Sequence, residues 1–222
     1  MKGFSALIPA AGVGRRLGQG PKVWLELAGR PIFVWVVAKF AALASEVVVA
    51  VPAQDMHRAA ALADEYGLSV RLVEGGDTRQ ESIRRLVLAA QCEQVLIHDG
   101  ARPFVTSVLV EKVAAAGVKF GAAAAFLPAE VPVARIEAGR VVEHFHSANM
   151  ALFQSPQSFD RAALLPLLNE AQRTGALRQS ILQLWLEAGN EVHTLLGEKT
   201  NIKLTTEDDM VLAELFTGYL GR

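Results

Sequence analysis

The chain has 222 residues, with 22 Lys and Arg against 23 Asp and Glu, so its formal charge is −1 with histidine neutral. At 51% apolar and 20% charged residues, it has the composition of a globular protein, which excludes disorder, collagen-like repeats and charged tails. The lack of a basic excess argues against a general nucleic-acid-binding role, and the single Cys92 excludes an intrachain disulfide and a cysteine metal cage.

No apolar run approaches the roughly 18–20 residues of a membrane span. The apolar patch near the N-terminus is broken by Pro9, Gly12, Gly14 and the pair Arg15–Arg16 before a signal-peptide core forms. We expect a cytoplasmic chain, mature as written, with neither membrane nor nucleic acid as a partner.

In chain order, residues 5–8 read as a strand and are followed by a glycine-rich loop. A helical pattern over 31–42 places Pro31 at the first helical position, where its fixed φ fits. A strand over 46–51, a helix over 54–66 closed by Gly67 and a strand over 70–74 follow. Thr78 and Glu81 have capping-box spacing, so a helix over 78–90 begins directly after Gly75–Gly76–Asp77. Next come a strand over 94–98, a helix over 107–116 and a strand over 122–127. Several of these strands are apolar almost throughout, as strands covered by helices on both faces are. Repeated β–α alternation predicts an α/β fold with a doubly wound, mostly parallel, Rossmann-like sheet.

Near Glu130 the pattern changes. Residues 133–136 and 141–144 flank Glu137–Ala138–Gly139–Arg140 and predict a β-hairpin, which projects from the main sheet as an arm over residues 130–147. Helices over 160–173 and 179–188, a strand over 192–196 and a last helix from Thr206 to about residue 220 complete the chain. No repeat, low-complexity tract or linker divides it, so one domain over residues 1–222 carries the arm.

The loop from Pro9 to Lys22 holds four glycines, which let backbone N–H groups approach anionic oxygens, and three cations, Arg15, Arg16 and Lys22. In an open α/β sheet, ligands bind beyond the carboxyl ends of the strands, where this loop sits. Leu17, three residues after Gly14, breaks the dinucleotide fingerprint, and Lys22, between Pro21 and Val23, does not end a Walker A loop. The loop is therefore a phosphate cradle of a third kind, or else a surface turn with solvated charges.

Two further segments fall on the same rim. Residues 75–82 join a strand to a capped helix, turning N–H groups, Asp77 and Ser82 toward a ligand. His98–Asp99–Gly100–Ala101–Arg102–Pro103 puts a carboxylate just beyond another strand. Asp99 there can hold Mg²⁺ and neutralise a polyphosphate, or serve as a turn or cap residue. Asn201–Ile202–Lys203–Leu204–Thr205 adds a lysine on a short strand.

Taken in order, five blocks resemble the 2-C-methyl-D-erythritol 4-phosphate cytidylyltransferases over nearly the whole chain. They are Pro9–Ala10–Ala11–Gly12 through Pro21–Lys22, Gly75–Gly76–Asp77 with Arg79 and Ser82, His98 to Pro103, Ser155–Pro156–Gln157, and Asn201–Ile202–Lys203. The resemblance implies a nucleotidyltransferase with the nucleotide-diphospho-sugar transferase fold. Such an enzyme joins CTP to 2-C-methyl-D-erythritol 4-phosphate in non-mevalonate isoprenoid biosynthesis, giving 4-diphosphocytidyl-2-C-methyl-D-erythritol and pyrophosphate. It also implies that the loop with Pro9, Gly12 and Gly14 wraps the triphosphate and that Arg16 and Lys22 stabilise charge on the α-phosphate. Ala10, Ala11, Gly76, Asp77 and Ser82 would hold cytidine, Asp99 would sit beside Mg²⁺, and Lys203 would orient the acceptor phosphate. The arm matches the family's dimerisation arm, which reaches into the neighbouring subunit's site in a homodimer.

The departures from this pattern lie on the acceptor side. The family has Asp-Thr where this chain has Val131–Pro132, Asp-Arg where it has His146–Ser147, and Thr-Asp-Glu/Asp where it has Gln179–Ser180–Ile181. One explanation is substituted contacts to the same acceptor from His144, His146 or Arg135, although no histidine reproduces an arginine fork. The others are a different polyol phosphate, such as ribitol 5-phosphate, and a CTP-binding module with reduced activity. His144 and His146 share a strand face and read as arm-surface or dimer-contact residues. Cys92 reads as a passive thiol, Trp35 and Trp185 as core, and Trp24 as a residue that packs beneath the phosphate loop or in the core.

Overall fold

In the computed structural model, which describes residues 3–12 and 21–220, β1 (Phe4–Pro9) leads through a 3₁₀ turn at Lys22–Trp24 into a two-stranded ribbon, β2 (Glu26–Leu27) and β3 (Arg30–Pro31). Then follow α1 (Ile32–Ala41), β4 (Glu46–Val51), α2 (Met56–Glu65), β5 (Arg71–Glu74), α3 (Arg79–Ala89), β6 (Gln94–Ile97), α4 (Ser107–Phe120) and β7 (Ala122–Pro128). The arm is β8 (Val133–Glu137) and β9 (Arg140–Phe145). After it come β10 (Ala151–Asp160), α5 (Arg161–Thr174), α6 (Ile181–Glu187), β11 (His193–Leu196) and α7 (Glu207–Leu220).

Seven strands form one sheet in the order β11-β7-β10-β6-β1-β4-β5. β1 pairs in parallel with β4 and β6, β4 with β5, and β7 with β11; β10 runs antiparallel to both of its neighbours. Helices cover both faces. On one, Phe33, Phe40 and Val36 of α1 and Val110 and Val113 of α4 pack on Val47 and Val49. On the other, Ile83 and Leu86 of α3, Leu164 and Leu168 of α5 and Trp185 of α6 pack on Leu7, Val48 and Phe159. The doubly wound, mostly parallel sheet expected from the alternation is therefore present.

β10 is the strand that periodicity does not announce. Its centre carries Gln154, Ser155, Pro156, Gln157 and Ser158, yet all four polar side chains are buried. A proline in an inner strand is tolerated at a bulge, and here the register with β7 shifts between Phe153 and Gln157, with a cis Ser155–Pro156 bond. Buried polar groups need partners. Ser158 accepts from Gln94 Nε2 at 2.8 Å, and Gln154 donates to the Glu198 carbonyl at 2.9 Å. α4 crosses this pair at Gly117, where a Cβ would lie 2.2 Å from Ser158 Oγ.

The arm is a separate antiparallel ribbon with exposed Ile136, Val141 and Val142. Arg135 is occupied within it, paired with Glu137 and with Glu143 at 3.0 Å.

Candidate active site

Parallel strands end on the same rim, so the loops after β1, β4, β5 and β6 converge. They enclose a cavity of about 690 Å³. Pro9, Ala10, Ala11 and Gly12 line it from the loop after β1 and Gly76, Asp77 and Ser82 from the segment after β5, together with Lys22, Asp99 and Lys203. The remaining expected residues, Arg16 and Gly14, lie outside the described residues.

At Gly75 the loop after β5 meets the loop after β1, and at Gly76 it meets the first turn of α3, each too closely for a side chain to fit. A Cβ on Gly75 would lie 2.2 Å from Ala11 Cβ, and one on Gly76 would lie 2.1 Å from Glu81 Cγ. Thr78 caps α3 by accepting from Glu81 N at 3.0 Å. Ser82, on the first turn, accepts from Gly76 N at 3.1 Å and donates to the Thr78 carbonyl at 3.0 Å. Only the Thr78 half of the expected capping box forms, since the Glu81 carboxylate accepts from Arg84 and Arg85, and it is Ser82 that ties the cavity-facing loop to the helix.

Lys22 Nζ donates to the Thr205 carbonyl at 3.0 Å, which ties the end of the first loop to the segment carrying Lys203. Trp24 anchors that turn: its indole N–H donates to Asp55 Oδ2 at 2.9 Å, its ring lies 5.4 Å from Phe33, and Arg58 sits 5.0 Å above it.

Asp99 is the electrostatic centre. Oδ1 accepts from Arg79 at 2.8 and 3.2 Å, Oδ2 accepts from Lys203 Nζ at 3.0 Å, and Arg102 Nε lies 3.6 Å from Oδ2. Burial opposes the charged form, but Arg79, Lys203 and Arg102 together outweigh it and hold the carboxyl well below the usual carboxylate range. Behind it, His98 is completely buried, its ring 4.9 Å from Phe40. Burial pushes its pKa down to about 4, so the imidazole is neutral. The Arg102 carbonyl, 2.9 Å from Nε2, can only accept, so Nε2 carries the proton and Nδ1 accepts from Ser155 Oγ at 3.1 Å. Ser155 Oγ in turn accepts from the Asp99 N–H at 3.0 Å. This chain of bonds fixes the backbone that aims Asp99.

A second cavity, of about 730 Å³, adjoins the first, and Arg79, Asp99 and Lys203 border both. Arg102 lies on the near side of the second cavity; Gln157, Gln179, Ser180 and Gln183 supply amides and a hydroxyl elsewhere on its wall. Ser180 caps α6, accepting from Gln183 N at 3.1 Å, so the helix start survives where the family pattern has Thr-Asp. Arg135, His144 and His146 line neither cavity within the chain. Sequence reasoning does not single out Arg79 and Arg102 as site residues. The available signal is their place in the same blocks as Asp77 and Asp99.

Among the described residues no group of three or more His, Cys, Asp or Glu side chains could hold a metal ion. Both Asp99 oxygens accept from Arg79 and Lys203 in this arrangement, so Asp99 would hold magnesium only on giving up one of these bonds, the ion taking its other ligands from substrate phosphates and water. Among the described residues no helix is long and apolar enough to cross a membrane.

The family model for 2-C-methyl-D-erythritol 4-phosphate cytidylyltransferase matches residues 4–218. The protein of that name from Thermus thermophilus is 40% identical over 213 residues, 95% of each chain, and the one from Deinococcus radiodurans is 38% identical over 97% of this chain and 90% of its own. The crystal structure of the Thermus thermophilus protein superposes with a TM-score of 0.83, covering 98% of this chain and all of its own at 38% identity. That of 4-diphosphocytidyl-2C-methyl-D-erythritol synthase from Anaerococcus prevotii gives 0.85 at 25% identity, covering 100% of this chain and 99% of its own. With a cavity pair joined at a cationic wall and this likeness along its whole length, the chain belongs to the 2-C-methyl-D-erythritol 4-phosphate cytidylyltransferase family of nucleotidyltransferases.

Proposed function

We propose how this chain carries out its family's reaction, in which the cytidylyl group of CTP passes to 2-C-methyl-D-erythritol 4-phosphate and pyrophosphate leaves. One observation carries the reading: the two cavities share the wall of Arg79, Asp99 and Lys203. A nucleotide in the first cavity and a polyol phosphate in the second therefore meet at one cluster of cations. Ala10, Ala11, Gly76, Asp77 and Ser82 surround cytidine, and the loop with Pro9, Gly12 and Gly14 follows the phosphates. On the other side Arg102 faces the acceptor phosphate, and the amides and hydroxyl of Gln157, Gln179, Ser180 and Gln183 suit its hydroxyl groups.

A phosphate oxygen of the acceptor attacks the α-phosphorus, and the bond from that phosphorus to the bridging oxygen of pyrophosphate breaks. Two anions must approach and a third must depart, so preorganised cations lower the barrier and no nucleophilic side chain is needed. Lys22 and Arg16 stabilise charge on the α-phosphate, and Lys203 orients the attacking phosphate. Asp99 is the residue that would hold Mg²⁺, which when bound neutralises polyphosphate charge. We read the exposed Ile136, Val141 and Val142 of the arm as a homodimer contact. Two anionic metabolites as substrates and a single free cysteine suit a cytoplasmic location.

The test is pyrophosphate release from CTP and Mg²⁺, with methylerythritol phosphate and ribitol 5-phosphate offered in parallel. Turnover with the former and little with the latter is expected. Silence with both, alongside tight CTP binding, would replace the reading with that of a CTP-binding module. Lys22→Ala should lower kcat by about 10²–10³-fold, the effect of losing one preorganised charge donor, with the chain still folded; a near-normal kcat would remove Lys22 from the mechanism.

A further inference from the structure

Three side chains on one helical turn point to three parts of the site. At the start of α3, Arg79 holds Asp99 and borders both cavities, and Ser82 holds the Gly76 loop. Gln80, between them, turns elsewhere. Its Nε2 donates to the Ala176 carbonyl at 2.8 Å, and its Oε1 accepts from Arg178 N at 3.0 Å. These partners lie 96 and 98 residues further along the chain. Gln80 is 8% exposed and both bonds are part-buried, so solvent is a poor substitute for them.

The clasped backbone is the loop between α5 and α6, which ends in Gln179 and Ser180 on the wall of the second cavity. From there the Arg178 side chain reaches Glu187 Oε2 at 2.5 Å, and Gln183 Nε2 donates to Glu187 Oε1 at 3.0 Å. Packing of Ile181, Leu182 and Trp185 in the core holds α6 itself, and the Gln80 amide ties the loop leading into it, and so the Gln179–Ser180 part of the wall, to the turn that carries Arg79, without itself lining either cavity.

We propose that Gln80 is a positioning residue for the acceptor, one that holds the 175–180 loop at the spacing the polyol phosphate needs. The proposal rests on reading the second cavity as the acceptor's. A brace serving global stability alone would move the melting temperature and leave substrate affinities untouched; a positioning residue separates the two substrates.

The experiment is steady-state kinetics on Gln80→Met, which keeps length and apolar volume but loses both bonds, beside Gln80→Glu, which keeps the oxygen that accepts from Arg178, and Arg102→Ala. In Gln80→Met the KM for methylerythritol phosphate should rise about tenfold, the scale of two lost buried hydrogen bonds, while the KM for CTP stays within about twofold. Gln80→Glu keeps the bond from Arg178 but sets a carboxylate oxygen against the Ala176 carbonyl, so it should raise the acceptor KM at least as far as Gln80→Met, and Gln80→Ala carries the comparison if the methionine variant does not fold. An unchanged acceptor KM in Gln80→Met with a raised one in Arg102→Ala would overturn the role of Gln80 alone. An unchanged value in both would overturn the cavity assignment and the proposal with it. Equal rises for both substrates, or a lower melting temperature with neither KM moved, would show a general brace and overturn positioning.

Discussion

Asp99 and Glu46 are two carboxylates of nearly equal side-chain exposure, 12% and 16%, at opposite ends of the central strands. Glu46, at the amino end of β4, accepts through Oε1 from Ser5 Oγ at 2.6 Å and from Gln91 N at 2.5 Å. Ser5 Oγ also accepts from Cys92 N at 3.0 Å, and Arg71 lies 3.6 Å from Glu46 Oε2. These donors are mostly neutral and all local to the seam between β1, β4 and the turn before β6, and neither cavity reaches it. Asp99, at the carboxyl end, faces two cavities and three cations for its one charge. Three positive charges gather on this one carboxylate, more than a structural ion pair needs and of the sign that an incoming phosphate requires. Equal burial therefore separates nothing; the balance of neighbouring charge separates a site from a seam.

The sharpest way to break this comparison is to neutralise each acid in turn. Asp99→Asn should lower kcat/KM by about 10³-fold, the upper end for loss of a single preorganised electrostatic group, whereas Glu46→Gln should leave it within about twofold. Pyrophosphate release measures both, and similar losses would erase the distinction. The next effect in size comes from His98. Its unfolded pKa is 6.5 and burial holds the native value near 4. Between those values the unfolded chain binds a proton that the native chain does not. Stability should therefore fall as pH drops from about 6.5 to about 4, by on the order of 3 kcal/mol, and stay flat above that window. Asp99 acts in the same direction, but below its unfolded value of 3.8, so the two are separable. Urea unfolding across pH should show the slope in the parent chain and lose most of it in His98→Gln; an equal slope in both would remove His98 as its source.

The same contrast explains what the sequence could reveal. β1, β4, β6 and β7 are legible because strands covered on both faces are apolar runs. β10 is not, because Gln154, Ser155, Gln157 and Ser158 are buried with their partners supplied by residues far along the chain. Asp99 stands out as an acid at a strand end. Lys203, 104 residues away, is legible as a lysine near the rim but takes its role only from the resemblance, and Arg79 and Arg102 fall in motif blocks without a role of their own until the fold brings them to one carboxylate. Gln80 is less visible still, since a helical glutamine carries no mark of the loop it clasps. The acceptor-side departures divide in the same way. Ser180 caps α6 where the pattern has an acid, while Arg135, offered as a substitute contact, is engaged by its own arm.

The smallest expected effect sharpens the comparison from the Glu46 end. Glu46→Ala removes the acceptor of the buried Ser5 hydroxyl, where water replaces it poorly, and of the Gln91 N–H, which is exposed to water. The cost of one such unsatisfied group is about 1–3 kcal/mol, so a loss near 2 kcal/mol is expected in urea unfolding. Glu46→Gln keeps one acceptor oxygen and should lose less than about 1 kcal/mol. Neither change should alter kcat per folded molecule, because β4 runs its full length between this seam and the phosphate rim. A tenfold fall in kcat in Glu46→Ala would mean that strain at the amino ends is transmitted along β1 and β4 to the loops at their carboxyl ends. Glu46 would then belong, with Asp99, to the machinery of the site.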